Sequence, residues 1–292
     1  MTAGPLIAAI DLGGTTAKVA VADGTGRLLG EDRVATRAPD ATLAAAAAAL
    51  RRLEGAAGGR IDRLGVACFG PVDVDPASGG YGTILRTPKP GWTGAPVLRV
   101  LSDALGVPAR LDTDVNAALA GELIWGRAKG ADRAAYVTVG TGIGVGVKAG
   151  GAFAGRPFHP ELGHIRVSRR TGDEGFAGVC AFHGGCLEGL AAAPALAARF
   201  GDLEQAGPAS EAWAVAAHYL AQLTVTLVLG FRVERILFGG GVSNAAPLIG
   251  LIRARHDELM AGYVADAPTE ELIATARHGD KAGLYGACAI AL

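Results

Sequence analysis

Leu6-Ile7-Ala8-Ala9-Ile10-Asp11-Leu12-Gly13-Gly14-Thr15-Thr16 is the stretch that decides the fold. Residues 6–12 are apolar except for Asp11 and read as a buried strand. Gly13-Gly14-Thr15-Thr16 ends that run, and residues 17–23 form a second strand. After the turn signal Asp23-Gly24-Thr25-Gly26, a third strand is expected near 27–35. A helix over about 40–57 and a strand from Leu64 to Phe69 follow, the latter running into Gly70-Pro71-Val72-Asp73. The predicted opening is thus three hairpin-linked strands, a helix and a strand.

The pattern restarts in the second half. Ala134 to Val139 reads as a strand, Gly140-Thr141-Gly142 as a tight turn, and Ile143 to Ala149 as a second strand. A long helix over 211–230 and a strand over 235–238 follow, the strand ending in Gly239-Gly240-Gly241. Helices at 246–262 and from Lys281 to the end close the chain. Between the halves lie a Gly- and Pro-rich loop over 74–96, a helix at 96–105 and a strand at 107–112. Asp112-Thr113-Asp114-Val115-Asn116 then opens an Ala-rich helix reaching about residue 126. Two halves that begin alike predict an α/β protein of two similar lobes with a cleft between them. The expected boundary is 113/114. Residues 1–113, completed by helix 281–292, make one lobe, and residues 114–280 make the other, with a metal-like segment at 161–188.

Composition narrows the function. The 292 residues suffice for one large domain or two medium ones. With 27 basic and 28 acidic residues and no long block of either sign, neither nucleic acid nor an anionic membrane is an expected partner. The N-terminus carries no basic region followed by a long apolar one, so no secretory signal is read. Four cysteines are too few for a disulfide scaffold of this size, and the cytoplasm is the expected compartment.

Two of those cysteines lie in an unusual segment. Glu161-Leu162-Gly163-His164 is followed by Cys180-Ala181-Phe182-His183-Gly184-Gly185-Cys186-Leu187-Glu188. Zinc favours four nitrogen or sulfur ligands in a tetrahedron, and His164, Cys180, His183 and Cys186 supply such a set. The spacing departs from the common zinc-finger patterns, and buried thiols are the competing reading. Four protein ligands would close the site, so the metal is read as structural. Glu161 and Glu188 bracket it as polar groups for a polar ligand.

Three glycine-rich turns follow apolar strands: Gly13-Gly14-Thr15-Thr16, Gly140-Thr141-Gly142 and Gly239-Gly240-Gly241. Glycine lets backbone N–H groups approach a phosphate, and Thr15, Thr16 and Thr141 add hydroxyl donors. No Gly-x-x-x-x-Gly-Lys-Ser/Thr pattern occurs, which excludes a P-loop. The first two turns join strand to strand, which argues against a dinucleotide-binding turn and for phosphate clamped between two hairpins. Asp114 is the candidate general base, with helix N-capping as the competing reading and Asp112 as a rival carboxylate.

Taken together these residues resemble the ROK family of sugar kinases, within the actin-like ATPase superfamily. The likeness runs from residue 6 to the C-terminus. Asp11-Leu-Gly-Gly-Thr15 resembles the family's first phosphate motif, Val137 to Val145 the second, Leu237 to Gly241 the adenosine motif, and Glu161 to His164 with Cys180 to Glu188 the sugar and zinc signature. Tyr81-Gly82, Thr87-Pro-Lys-Pro-Gly-Trp92, Asp112 to Asn116 and Cys180 to Cys186 are similar to the zinc-containing bacterial fructokinases of that family. The resemblance implies a duplicated actin-like (ribonuclease H-like) fold with mixed sheets flanked by helices and a zinc-bound loop insertion. It implies a kinase using ATP, Mg2+ and structural Zn2+, working as a homodimer on a hexose, with fructose favoured and glucose or mannose as alternatives. It assigns Asp114 as base, with Gly70, Pro71, Asn116, Glu161, His164 and Glu188 around the sugar. Asp11, Gly13, Gly14, Thr15, Thr16, Thr141, Gly142, Gly239, Gly240 and Gly241 are assigned to Mg·ATP. His164 serves twice, one ring nitrogen on zinc and the other toward the sugar. One departure stands out: Thr16 occupies a position where the family often has lysine, with Lys18 two residues further on. A sugar-responsive regulator of the same family is the reading from another class. The early position of Asp11-Leu-Gly-Gly-Thr15 and the neutral charge weigh against it.

Overall fold

Leu6, Ala8, Ile10 and Leu12 of strand β1 (Leu6–Leu12) face one apolar layer, while Ile7 and Ala9 face another. Both faces of the strand are covered, which is why its sequence lacks the apolar–polar alternation of a half-exposed strand. β2 (Thr16–Ala22) and β3 (Leu28–Ala35) pair with it as an antiparallel meander. Helix α1 (Pro39–Ala57) leads to β4 (Ile61–Cys68), which lies parallel to β1. Helix α2 (Val97–Leu105) leads to β5 (Ala109–Thr113), parallel to β4, and α3 (Asp114–Trp125) follows at once. The sheet order is β3-β2-β1-β4-β5. These coordinates come from a computed structural model that describes residues 6–264 and 267–292.

The second half repeats the plan. β6 (Ala134–Val139), β7 (Ile143–Ala149) and the short β8 (Ala152–Phe153) form an antiparallel meander. Helices α4 (Leu187–Ala191), α5 (Ala193–Phe200) and α6 (Glu211–Phe231) precede β9 (Arg235–Gly239), which is parallel to β6. Helices α7 (Leu248–Met260) and α8 (Thr269–Leu272) lead to β10 (Ile273–Thr275), parallel to β9. The order β10-β9-β6-β7-β8 reproduces the first sheet strand for strand. α9 (Ala282–Ala291) ends the chain.

The chain divides into two units. One comprises the chain up to Lys129 with Gly155–His159 and Asp280–Leu292, and the other comprises Gly130–Ala154 with Pro160–Gly279. The boundary expected at 113/114 therefore falls later, because α3 packs on α9 and stays with the first sheet. That contact is very close: a Cβ on Gly286 would lie 2.2 Å from the backbone carbon of Ala117, so only glycine fits. α1 and α2 cover the opposite face of the sheet. The 74–96 loop wraps around the fully buried Trp92, whose Nε1 donates to the Arg37 carbonyl at 2.9 Å. In the second unit α6 is long and apolar enough in composition to cross a membrane, yet Trp213, Tyr219, Leu220, Leu223 and Leu227 are buried in the unit's core.

Candidate active site

In the first unit the groups of interest share one sheet edge. Asp11, Cys68 and Thr113 lie at the carboxyl ends of the neighbouring parallel strands β1, β4 and β5, where open α/β sheets bind ligands. Burial pushes the Cys68 thiol up, and the carboxylates of Asp114 and Asp11 add to it, so both acids lie within electrostatic reach of that strand end. Asp11 is itself raised by burial, opposed by Lys18 directly across the strand pair. A half-buried carboxylate beside a glycine turn is suited to a hard divalent cation such as Mg2+.

The turn after β1 is held by its carbonyls. The Thr36 hydroxyl donates to Gly13 O at 2.8 Å, the Thr36 N–H donates to Thr15 O at 2.9 Å, and Lys89 Nζ donates to Gly14 O. Among the described residues no protein acceptor takes the N–H of Gly14 or of Thr15. A Cβ on Gly14 would point into open space. A run of N–H groups left open in a pinned turn is an anion cradle. Thr16 begins β2, and Lys18 Nζ is drawn to the Asp280 carbonyl.

At the β5–α3 junction the two aspartates differ. Asp112 is buried, and both its oxygens are engaged. One accepts from Thr113 N and Asn116 Nδ2, each at 2.8 Å, and the other pairs with Arg156. Burial raises its pKa while Arg156 and these hydrogen bonds pull it down. The N-cap of α3 is Thr113, whose hydroxyl accepts from Asn116 N at 3.2 Å. Capping is thus done by Thr113, and Asp114 sits half-buried in the first turn of α3 with Oδ1 accepting from Val115 N at 2.9 Å. Asn116 is buried, and among the described residues its Oδ1 has no hydrogen-bond partner. Gly70 and Pro71 follow β4, with the imidazole of His159 close to Gly70.

In the second unit Gly140–Gly142 follows β6, and Gly239 ends β9 with Gly240 and Gly241 just after it, again at carboxyl strand ends. Gly140, Thr141 and Gly241 border one cavity of about 640 Å³, which is walled mainly by apolar side chains including Leu203, Pro208 and Trp213. That volume and lining suit a flat heterocycle next to phosphate-binding turns. The wall residues come from α6, the chain before it and the segment 242–247 after β9, and nothing in their sequence distinguishes them from core. Glu188 braces the second turn: its Oε2 accepts from Ile143 N at 2.9 Å, while Oε1 faces His164 Nε2 at 3.9 Å.

The metal-like segment does converge. The ligand atoms of His164, Cys180, His183 and Cys186 all lie within 4.8 Å of one another. His164 Nδ1 is 3.7 Å from Cys180 Sγ and 3.5 Å from Cys186 Sγ, and His183 Nδ1 is 3.7 Å from Cys180 Sγ. Tetrahedral zinc, with bonds of about 2.3 Å to sulfur and about 2.0 Å to nitrogen, requires separations of this size. The backbone prepares the cluster. Cys180 and Gly184 exchange N–H···O bonds at 3.2 and 2.9 Å, and Val179 N donates to Gly189 O at 2.9 Å. Gly178 has φ +88°, and a Cβ there would meet Gly184 O at 2.2 Å. With Nδ1 turned to the cluster, the His164 ring leaves Nε2 for a second partner. Glu161, exposed, precedes the short 3₁₀ turn that carries His164.

Residues 7–292 match the ROK family. The fructokinase of Zymomonas mobilis subsp. mobilis is 38% identical over 286 residues, spanning 97% of this chain and 95% of that protein. Among solved structures, the ROK hexokinase of Thermus thermophilus superposes with a TM-score of 0.78 at 31% identity, over 98% of this chain and 97% of that one. A ROK family glucokinase of Streptomyces griseus, in complex with glucose and AMPPNP, gives a TM-score of 0.78 at 26% identity, over 98% of this chain and 99% of that one. Coverage is near-complete on both sides, and the chain belongs to the ROK family. Its two mixed, helix-flanked sheets are the actin-like architecture of the family's sugar kinases.

Proposed function

We propose that this sugar kinase transfers the γ-phosphoryl group of Mg·ATP to fructose, giving fructose 6-phosphate. The observation that carries the chemistry is the division of labour at the β5–α3 junction. Asp112 is tied to Arg156 and Asn116 and capping falls to Thr113, so Asp114 is the carboxylate positioned to accept the sugar hydroxyl proton. Preference for fructose is supported by the 38% identity to the Z. mobilis enzyme.

In phosphoryl transfer the protein mainly positions groups and stabilises charge. The open N–H groups of Gly14 and Thr15, with the Gly140–Gly142 turn, are assigned to phosphate. The 640 Å³ cavity is assigned to the adenosine end. Gly70, Pro71, Asn116, Glu161, His164 and Glu188 are assigned to the sugar. Mg2+ would be held beside Asp11, where it supplies charge neutralisation to the phosphates. Zinc would be held by His164, Cys180, His183 and Cys186, where four ligands fix the loop that presents Glu161 and His164. On this reading the enzyme works in the cytoplasm, as the homodimer that the family likeness implies.

The test is an ADP-release assay with Mg·ATP over fructose, glucose, mannose and N-acetylhexosamines. The expected outcome is a clear preference for fructose in kcat/KM. Preference for another hexose would keep the kinase and discard fructose. A protein that binds sugar without turnover would be a sensor instead.

A further inference from the structure

We propose that Lys89 is the cation that contacts the transferred phosphoryl group at the first glycine turn. The inference rests on the kinase reading above and adds a residue to it. The first strand pair does not supply that charge at the turn. Position 16 is threonine, and Lys18 faces Asp11 across the strand pair with its Nζ donating to the Asp280 carbonyl. Lys89 comes instead from the loop that follows β4. It lies between Pro88 and Pro90, whose rings restrict the backbone on either side. Its N–H donates to the Thr87 hydroxyl at 3.3 Å, and its carbonyl accepts from Trp92 N at 3.2 Å. Trp92 is fully buried and anchors the loop.

This anchoring sets the ammonium between two features already described. Nζ donates to Gly14 O and lies 5.9 Å from the centroid of the Phe69 ring. Phe69 packs edge-on against Trp92, with centroids 5.1 Å apart, and immediately precedes Gly70-Pro71. An ammonium group has three donors, and the Gly14 carbonyl takes one. The same bond pins the Gly14 carbonyl within the turn whose Gly14 and Thr15 N–H groups are open. Lys89 thus both shapes the anion cradle and adds a full positive charge to it. Charge-assisted bonds to a phosphoryl oxygen are the strong class of hydrogen bond, and a positive group that meets charge developing in the transition state raises kcat.

The alternative is a staple that only ties the loop to the turn. Lys89→Met and Lys89→Arg separate the two. The measurements are kcat and KM for fructose and ATP, the inhibition constant of fructose 6-phosphate, and the melting temperature, all on the full chain. The expected result for Lys89→Met is a fall in kcat of about 10- to 100-fold and a weaker fructose 6-phosphate inhibition, the scale of one charge-assisted bond. KM for fructose and the melting temperature should stay near wild type, and Lys89→Arg should recover part of kcat. Wild-type kcat in Lys89→Met overturns the proposal. So does a loss of activity that tracks a loss of melting temperature or of fructose binding. Failure of the kinase reading would show in the wild-type protein, as no turnover on any sugar, and would overturn this proposal with it.

Discussion

Asp112 and Asp114 are separated by one residue, and the structure gives them different chemistry. Asp112 points into the protein and is charge-balanced by Arg156, while Asp114 lies half-buried in the first turn of α3. Removing the proton acceptor should cost what general-base catalysis contributes, about 10²–10⁴-fold in kcat. Asp114→Asn is therefore expected to lose turnover by that factor, with fructose binding and melting temperature close to wild type. Asp112→Asn is expected to show the opposite emphasis, lowering the melting temperature because it leaves Arg156 without its buried partner. Turnover near wild type in a folded Asp114→Asn enzyme would remove Asp114 from the mechanism. The sequence alone left both aspartates as candidates and N-capping as an option. What it could not show was that Thr113 takes the cap and that a guanidinium 44 residues away neutralises Asp112.

At the scale of elements, legibility followed the length and purity of each signal. β1, β6 and the turns after them were readable because uninterrupted apolar runs ended in Gly and Thr. β10 escaped because three residues after a four-residue helix carry no period. The placement of α3 was unreadable for another reason. Its partner α9 lies more than 150 residues further along the chain, and Ala- and Gly-rich contact faces carry no local mark of their partner. The metal knuckle was legible as a donor set, and its hydrogen-bonded frame around Gly178 and Gly184 now gives that set a shape. Because binding to a native-only site is folding free energy, metal removal should loosen this element selectively. Purified protein is expected to carry one zinc per chain. Stripping it should speed hydrogen exchange over residues 160–190 and weaken sugar binding, while β1 to β5 keep their protection. Full activity in zinc-free protein with only Mg2+ restored would show that the metal does not hold the sugar-facing loop.

At the scale of the molecule, one topology is used twice and equipped differently each time. Both sheets run meander, then two parallel strands, and both place glycine turns at the carboxyl ends of those strands. Each unit has its own apolar core, so each can respond to a ligand through its own contacts. The first unit carries Asp114 and the pinned Gly14 turn. The second carries the metal cluster and a 640 Å³ apolar-walled cavity bordering Gly140, Thr141 and Gly241. If that cavity takes the adenine end of ATP, a ligand that ends at the α-phosphate should act on the second unit alone. AMP at about 100 times its Kd would stabilise the state that binds it by about 2.7 kcal/mol, roughly a hundredfold in local opening for amides that exchange only from the unliganded state. Hydrogen exchange with AMP is therefore expected to slow over 140–142, 203–213 and 241–247, with Trp213 fluorescence changing in step. Exchange in α1 and α2 should be untouched. Protection centred on α1, α2 or the Gly13–Thr16 turn would place the base in the first unit and require the roles of the two repeats to be exchanged.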